Sequence, residues 1–138
     1  MHEANTKLQP AYDIIETPDA WPPGGHYSQG VAYCGLITVS GQLPIGTPAG
    51  HGTKEEFEVQ ARAALKSFLH IVKAGGGSVE TVLSVRAYIV GVENWPVFNL
   101  VYGEQFGDFR PARAVVPVPE LHLGYSIEIE GTAAATKP

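Results

Sequence analysis

The stretch TKEEFEVQARAALKSFLHIVKAGGG, residues 53–77, decides the fold. Phe57, Ala61, Ala64, Leu65, Phe68, Leu69 and Val72 recur at helical spacing, while Glu58, Arg62, Lys66 and Lys73 fall toward the other side. That pattern is an amphipathic helix with one buried face. Thr53 followed by Glu56 has the form of a capping box at its start, and Gly75-Gly76-Gly77 supplies a left-handed stop at its end. Because the triple glycine follows a helix instead of opening one, it reads as a stop and not as a phosphate loop.

Upstream, residues 1–10 are polar and unpatterned and read as an arm. Tyr12 to Glu16 could form a short strand, ended by Thr17-Pro18-Asp19 and the rigid cluster Trp21-Pro22-Pro23-Gly24-Gly25. Val31 to Cys34 and Leu36 to Gln42 are rich in β-formers and broken by Gly35, which suggests a hairpin or a bulged ribbon. Pro44 to Gly52 is a connection.

Downstream, Val79 to Val92 reads as a helical turn entering a long strand, with Leu83, Val85, Ala87 and Ile89 on one face and Ser84, Arg86, Tyr88 and Val90 on the other. Asn94 is placed to cap a second helix, with Pro96 in its first turn and Phe98, Val101, Tyr102 and Phe106 as its buried stripe until Gly107. Arg113 to Val118 and Tyr125 to Ala133 are the last two strands. The order β-β-β-α-β-α-β-β predicts an α+β domain spanning residues 1–138, a mixed sheet with two helices on one face. Several strands are apolar on both faces, so the uncovered face calls for association between subunits, with a pocket at the seam.

With 44% apolar and 17% charged residues in 138, the composition is that of an ordinary globular protein. A net charge of -5 argues against nucleic acid, whose phosphates demand a basic face. The single cysteine, Cys34, cannot close an internal disulfide and reads as a buried small hydrophobe in a reducing cytoplasm. The start of the chain lacks an apolar signal core, and no stretch is long and apolar enough for a membrane span. Five histidines, at 2, 26, 51, 70 and 122, show no ligand spacing, so a metal site is not expected.

Arg113 enters an otherwise uncharged run, Ala114 to Pro119, directly after the stiff turn Arg110-Pro111-Ala112. A guanidinium keeps its proton and matches a carboxylate two bonds at a time, so Arg113 is either half of a structural ion pair or the anchor for an acidic ligand. Strand alternation puts Ser126, Glu128 and Glu130 on one face and Tyr125, Ile127 and Ile129 on the other. Glu130 fits a solvated outer face. Glu128 is the stronger candidate if its strand pairs in a hairpin with the strand starting at Arg113, because the cation would then hold an anion while the carboxylate directs water. Ser40, in Val39-Ser40-Gly41-Gln42, lacks the surroundings of a nucleophile and reads as a strand-end hydroxyl bonding backbone or ligand.

The spaced set Tyr27-Ser28-Gln29-Gly30, Ser40-Gly41-Gln42, Gln60-Ala61-Arg62, Asn99-Leu100-Val101-Tyr102, Pro111-Ala112-Arg113 and Ile127-Glu128-Ile129-Glu130 resembles the reactive intermediate deaminase family, also called Rid or YjgF-like, from about Tyr27 to Ala133. The resemblance implies a chorismate-mutase-like α+β subunit in a homotrimer with clefts between neighbours. It also implies hydrolysis of enamines and imines of the 2-iminobutanoate and 2-iminopropanoate type to 2-keto acids and ammonia, without metal or organic cofactor. Arg113 then matches the residue gripping the substrate carboxylate and Glu128 the residue positioning water. Tyr27, Ser40 and Asn99 match cleft positions, and Val115 offers its backbone groups there.

Three positions depart from the family pattern. Gly24-Gly25-His26 replaces the aliphatic-Gly-Pro that usually precedes the tyrosine, Ala114-Val115 replaces Ser-Cys after the arginine, and Lys66-Ser67-Phe68 stands where an asparagine is often seen. These changes leave open a deaminase dedicated to one pathway, or a trimer that holds a carboxylate ligand or protects proteins without turnover.

Overall fold

The computed structural model describes residues 10–50 and 52–136. The strands are β1 (Asp13–Ile15), β2 (Gly30–Tyr33), β3 (Leu36–Gln42), β4 (Val82–Val90), β5 (Ala112–Val118) and β6 (Ile127–Ala134), and the helices are α1 (Lys54–Ala74) and α2 (Trp95–Phe106). They follow one another in the order that the residue periodicities predict. The polar arm expected at residues 1–10 lies, apart from Pro10, outside the described residues. One mixed sheet results, ordered β1-β2-β3-β6-β4-β5, with β4 and β5 parallel and every other neighbouring pair antiparallel. Helix α2 provides the crossover that a parallel pair requires.

Helix α1 starts where Thr53 accepts the amide of Glu56 on its hydroxyl, at 3.2 Å. At its other end the left-handed turn falls on Gly76 (φ +96°), while Gly75 keeps a right-handed conformation. The Gly77 amide then reaches back to the Val72 carbonyl at 3.0 Å, which satisfies one of the last open acceptors. Both helices pack on the same face of the sheet. Leu65, Phe68 and Val72 of α1 and Phe98 and Val101 of α2 close over Val85, Ile89, Ile127 and Ile129. Arg62 ties the two helices across their exposed sides, bonding Glu58 of its own helix and Glu104 of α2.

Four expectations are corrected. The last strand does not form a hairpin with the strand of Arg113: β6 inserts between β3 and β4, and β5 is left at the sheet edge beside β4 alone. Leu83 leaves the inner face because the β4–β6 register slips between Val82 and Ser84, so Val82 turns inward and Leu83 stands 49% exposed. Cys34 is exposed, not buried, since Cys34 (φ +49°) and Gly35 (φ +80°) are the two left-handed residues of the tight β2–β3 turn. Asn94 precedes α2 but does not cap it with its side chain, which donates instead to the Val90 carbonyl at 2.9 Å.

Gly131 sits on the inner face of β6 where Phe68 comes down on the sheet. A Cβ there would lie 2.2 Å from the Ser84 carbonyl oxygen and 3.0 Å from the Phe68 ring. Backbone cannot yield that distance cheaply, so Gly131→Ala is expected to destabilise the protein by about 3 kcal/mol, lowering the melting midpoint by about 10 °C. Thermal unfolding followed by circular dichroism checks it, and an unchanged midpoint contradicts this packing.

Candidate functional site

Register determines which way each candidate side chain faces. In the parallel pair, Arg113 stands opposite Val85, a buried inner-face residue, so Arg113 points to the helix side of the sheet. Its Nη1 donates to the Asn99 Oδ1 of α2 at 3.0 Å. The guanidinium carbon lies 4.8 Å from the ring centre of Tyr102, 5.5 Å from Trp95 and 5.6 Å from Phe98. Aromatic faces attract a cation without neutralising it. Among the described residues no carboxylate pairs with Arg113. Its surroundings include a cavity of about 370 Å³, lined also by Asn99, Tyr102, Phe106, Phe109 and Arg110. The Tyr102 hydroxyl is buried with no partner among the described residues, and burial pushes its pKa up to about 12 against the opposing pull of Arg113.

Glu128 faces the other way. It stands opposite Tyr88 of β4, between the inward-facing Ile127 and Ile129, and so projects from the outer face of the sheet. On its other flank β3 bulges, with Ser40 and Gly41 standing where β6 has only Glu130. A Cβ on Gly41 would lie 3.0 Å from the Glu128 carboxyl, so glycine makes the room that carboxyl occupies. Tyr27, Ser40, Gln42, His122, Glu128 and Glu130 share a cleft of about 540 Å³. Burial holds the Glu128 carboxyl above its usual range, the charge of Glu130 pushes the same way, and His122 opposes both. Glu130 is not simply solvated. It accepts Arg86 Nε at 2.6 Å and the Tyr88 hydroxyl at 3.3 Å, which leaves Glu128 as the carboxylate with no hydrogen-bond partner among the described residues.

The site residues named from sequence thus fall into two groups. Tyr27, Ser40 and Glu128 meet in the outer-face cleft. Arg113 and Asn99 meet on the helix side, with Val115 two residues along the same edge strand, opposite Ala87 and packed on the core. A single chain therefore does not bring Arg113 and Glu128 into one cavity, contrary to the hairpin expectation. Ser40 spends its hydroxyl proton on the Ser28 carbonyl at 2.6 Å, which leaves it only acceptor capacity toward a ligand. Ser126 and Tyr125 precede β6 and are buried; the Ser126 amide is held by Gln60 at 2.8 Å.

Three glutamines quoted in the sequence only as parts of family motifs turn out to hold the loops around the cleft in shape. Gln29, 4% exposed, donates its side-chain amide to the carbonyls of Thr17, Ala20 and Trp21 and accepts the Thr17 amide, pinning the long loop before β2. Gln60, on the buried face of α1, holds the carbonyls of Pro48 and Gly50. Gln42 accepts the Ser67 hydroxyl at 2.7 Å. The available signal was the same in each case: a glutamine at a position whose neighbours are buried must satisfy its amide internally. His122 carried no spacing signal and enters because the turn before β6 brings it to the Glu128 cleft. Among the described residues no group of three His, Cys, Asp or Glu side chains could hold a metal ion, and no helix is long and apolar enough to cross a membrane.

Comparison with known proteins places this geometry in a wider set. The model of the endoribonuclease L-PSP family matches residues 17–135. A RutC family protein of Pyrococcus horikoshii is 34% identical over 121 residues, covering 88% of this chain and 96% of its own. Among solved structures, Escherichia coli TdcF with bound serine is 30% identical with a TM-score of 0.78, covering 88% of this chain and 98% of its own. RidA from the Antarctic bacterium Psychrobacter sp. is 29% identical with a TM-score of 0.79 and covers the same shares. The architecture is the chorismate-mutase-like α+β fold that the sequence resemblance implies.

Glu128 should titrate above the ordinary glutamate value of about 4.3. Because Glu130 adds a like charge, Glu130→Gln should lower the Glu128 midpoint, and the loss of Arg86's partner acts in the same direction. Carboxyl-carbon NMR titration checks both, and a Glu128 midpoint that is ordinary, or that rises in the variant, contradicts this electrostatic picture.

Proposed function

The chain belongs to the endoribonuclease L-PSP family, the group of YjgF, RutC and Rid proteins, and on that premise we propose that it hydrolyses 2-imino acids of the 2-iminobutanoate and 2-iminopropanoate type to 2-keto acids and ammonia, in the cytoplasm, at clefts between the subunits of a homotrimer. One observation carries the proposal most: the guanidinium of Arg113 is held by Asn99 and aromatic rings, and among the described residues no carboxylate answers it. A second chain is part of it, because Arg113 and Glu128 lie on opposite faces of the sheet. An edge strand such as β5 has unpaired backbone groups along one side, and a neighbour's outer-face cleft could dock there.

The chemistry follows from the two groups. Arg113 takes the substrate carboxylate in a bidentate bond, with Asn99 fixing the plane of its fork. The carbon of the C=N bond is already electrophilic, so holding water against it does much of the work. Glu128 accepts a proton from that water as its oxygen bonds to the carbon, giving a tetrahedral carbinolamine. The proton then passes to nitrogen; the carbinolamine hydroxyl next gives up its own proton, which Glu128 relays to nitrogen as the C–N bond breaks with its electron pair leaving on ammonia, and the carbonyl forms. A carboxyl with a raised pKa suits both halves of this exchange. Tyr27, Ser40 and the backbone of Val115 complete the walls. RNA cleavage, which the family's name suggests, is a poorer fit to a net charge of -5.

A second reading has its own support. TdcF holds serine, an amino acid with a carboxylate and no C=N bond to hydrolyse. A trimer that binds a carboxylate ligand without turnover would use the same arginine.

With fresh 2-imino acid generated by an amino-acid oxidase, added protein should speed decay of the imine. Arg113→Ala and Glu128→Gln should each lower kcat/KM by about 100-fold or more, while sedimentation still gives the mass of three chains. Unchanged imine decay, together with calorimetric binding of a keto acid, would favour the second reading.

A further inference from the structure

We infer that this site selects 2-imino acids with bulky apolar or aromatic side chains and that Trp21 is the residue that selects them; the inference rests on the deaminase reading above. The Glu128 cleft has a polar part and an apolar part. Beyond the polar residues already described, its lining consists of Trp21, Pro22, Pro23, Leu43 and Ile45, without a charged group among them. Its volume of about 540 Å³ falls in the range, roughly 300–1,000 Å³, of pockets that enclose whole organic ligands. A three-carbon imino acid would leave that apolar part to water.

Trp21 is built into this wall. Its carbonyl accepts the buried Gln29 amide at 3.0 Å, and the carbonyl of Ala20 accepts the same amide at 3.2 Å. Pro22 and Pro23 follow, each fixing its own backbone torsion. The indole lies along Gly46, where a Cβ would come within 3.5 Å of the ring, and Gly46 has a left-handed φ of +96° that disfavours any side chain. The backbone beneath the ring is therefore fixed, yet 55% of Trp21 remains exposed. An indole held in that way gains on binding only when another apolar surface covers it. The aromatic wall lines the same cleft as Glu128, the group proposed to direct water, so a substrate whose reacting carbon is at Glu128 has room in that cleft to lay its side chain on Trp21. Glu130, the other carboxylate of the cleft, is engaged by Arg86 and does not recruit a cationic side chain.

The test compares 2-imino acids generated from phenylalanine and from alanine. The wild-type protein should show a phenylalanine-to-alanine ratio of kcat/KM of about 10 or more, and Trp21→Ala should lower that ratio about tenfold, the scale on which an apolar pocket discriminates. Trp21→Phe should retain most of the ratio, which guards against a variant that merely loosens the loop. Hydrolysis of the alanine-derived imine with no gain for the aromatic one, or an unchanged ratio in Trp21→Ala, overturns the inference and leaves the deaminase reading standing. Hydrolysis of neither removes both.

Discussion

Strand β6 lies between β3 and β4, and most of what the molecule can do follows from that placement. Its residues alternate between Ile127 and Ile129, buried beneath the helices, and Glu128 and Glu130, turned to the outer face. Taking the slot beside β4 leaves β5 only the opposite edge, parallel to β4, where Arg113 shares the face of Val85 and meets α2. The close fit at Gly131 under Phe68 and the room that Gly41 leaves for Glu128 both depend on the same strand. One pairing choice thus separates the cation from the carboxylate by a whole sheet.

The two groups are kept in contrasting states. Arg113 is surrounded by ring faces that tolerate its charge and by one neutral amide, and among the described residues no acid partner takes up its guanidinium. Glu128 is half-buried beside Glu130, and the desolvation that raises its pKa also makes it readier to hold a proton. Neither arrangement is the cheapest way to place a charge in a single folded chain. Both become reasonable in the proposed trimer, where an anionic ligand and a water molecule would sit between the arginine of one subunit and the glutamate of the next.

Helix α1 was fully legible in the sequence because its apolar period, its Thr53 start and its glycine stop all agree. The faces of β6 were legible for a similar reason: alternation separates Ile127 and Ile129 from Glu128 and Glu130. What alternation does not reveal is a strand's neighbour. The pairing of β6 with β3 and β4 is non-local, and proximity along the chain favoured the wrong partner, β5. Local register defeated two smaller expectations: one slipped position in β4 put Leu83 outside, and the tightness of the β2–β3 turn put Cys34 at an exposed tip. The candidate residues were found by type and motif, while the glutamine clasps and the part played by Gly41 emerged only once backbone approach was visible.

Co-expression of Arg113→Ala with Glu128→Gln tests the central claim most directly. If the site pairs the arginine of one subunit with the glutamate of the next, random assembly leaves about one site in four with both residues intact. The mixed protein should then regain about a quarter of wild-type imine hydrolysis although each variant alone is nearly inactive. A mixture as inactive as its parents would contradict a site shared between chains.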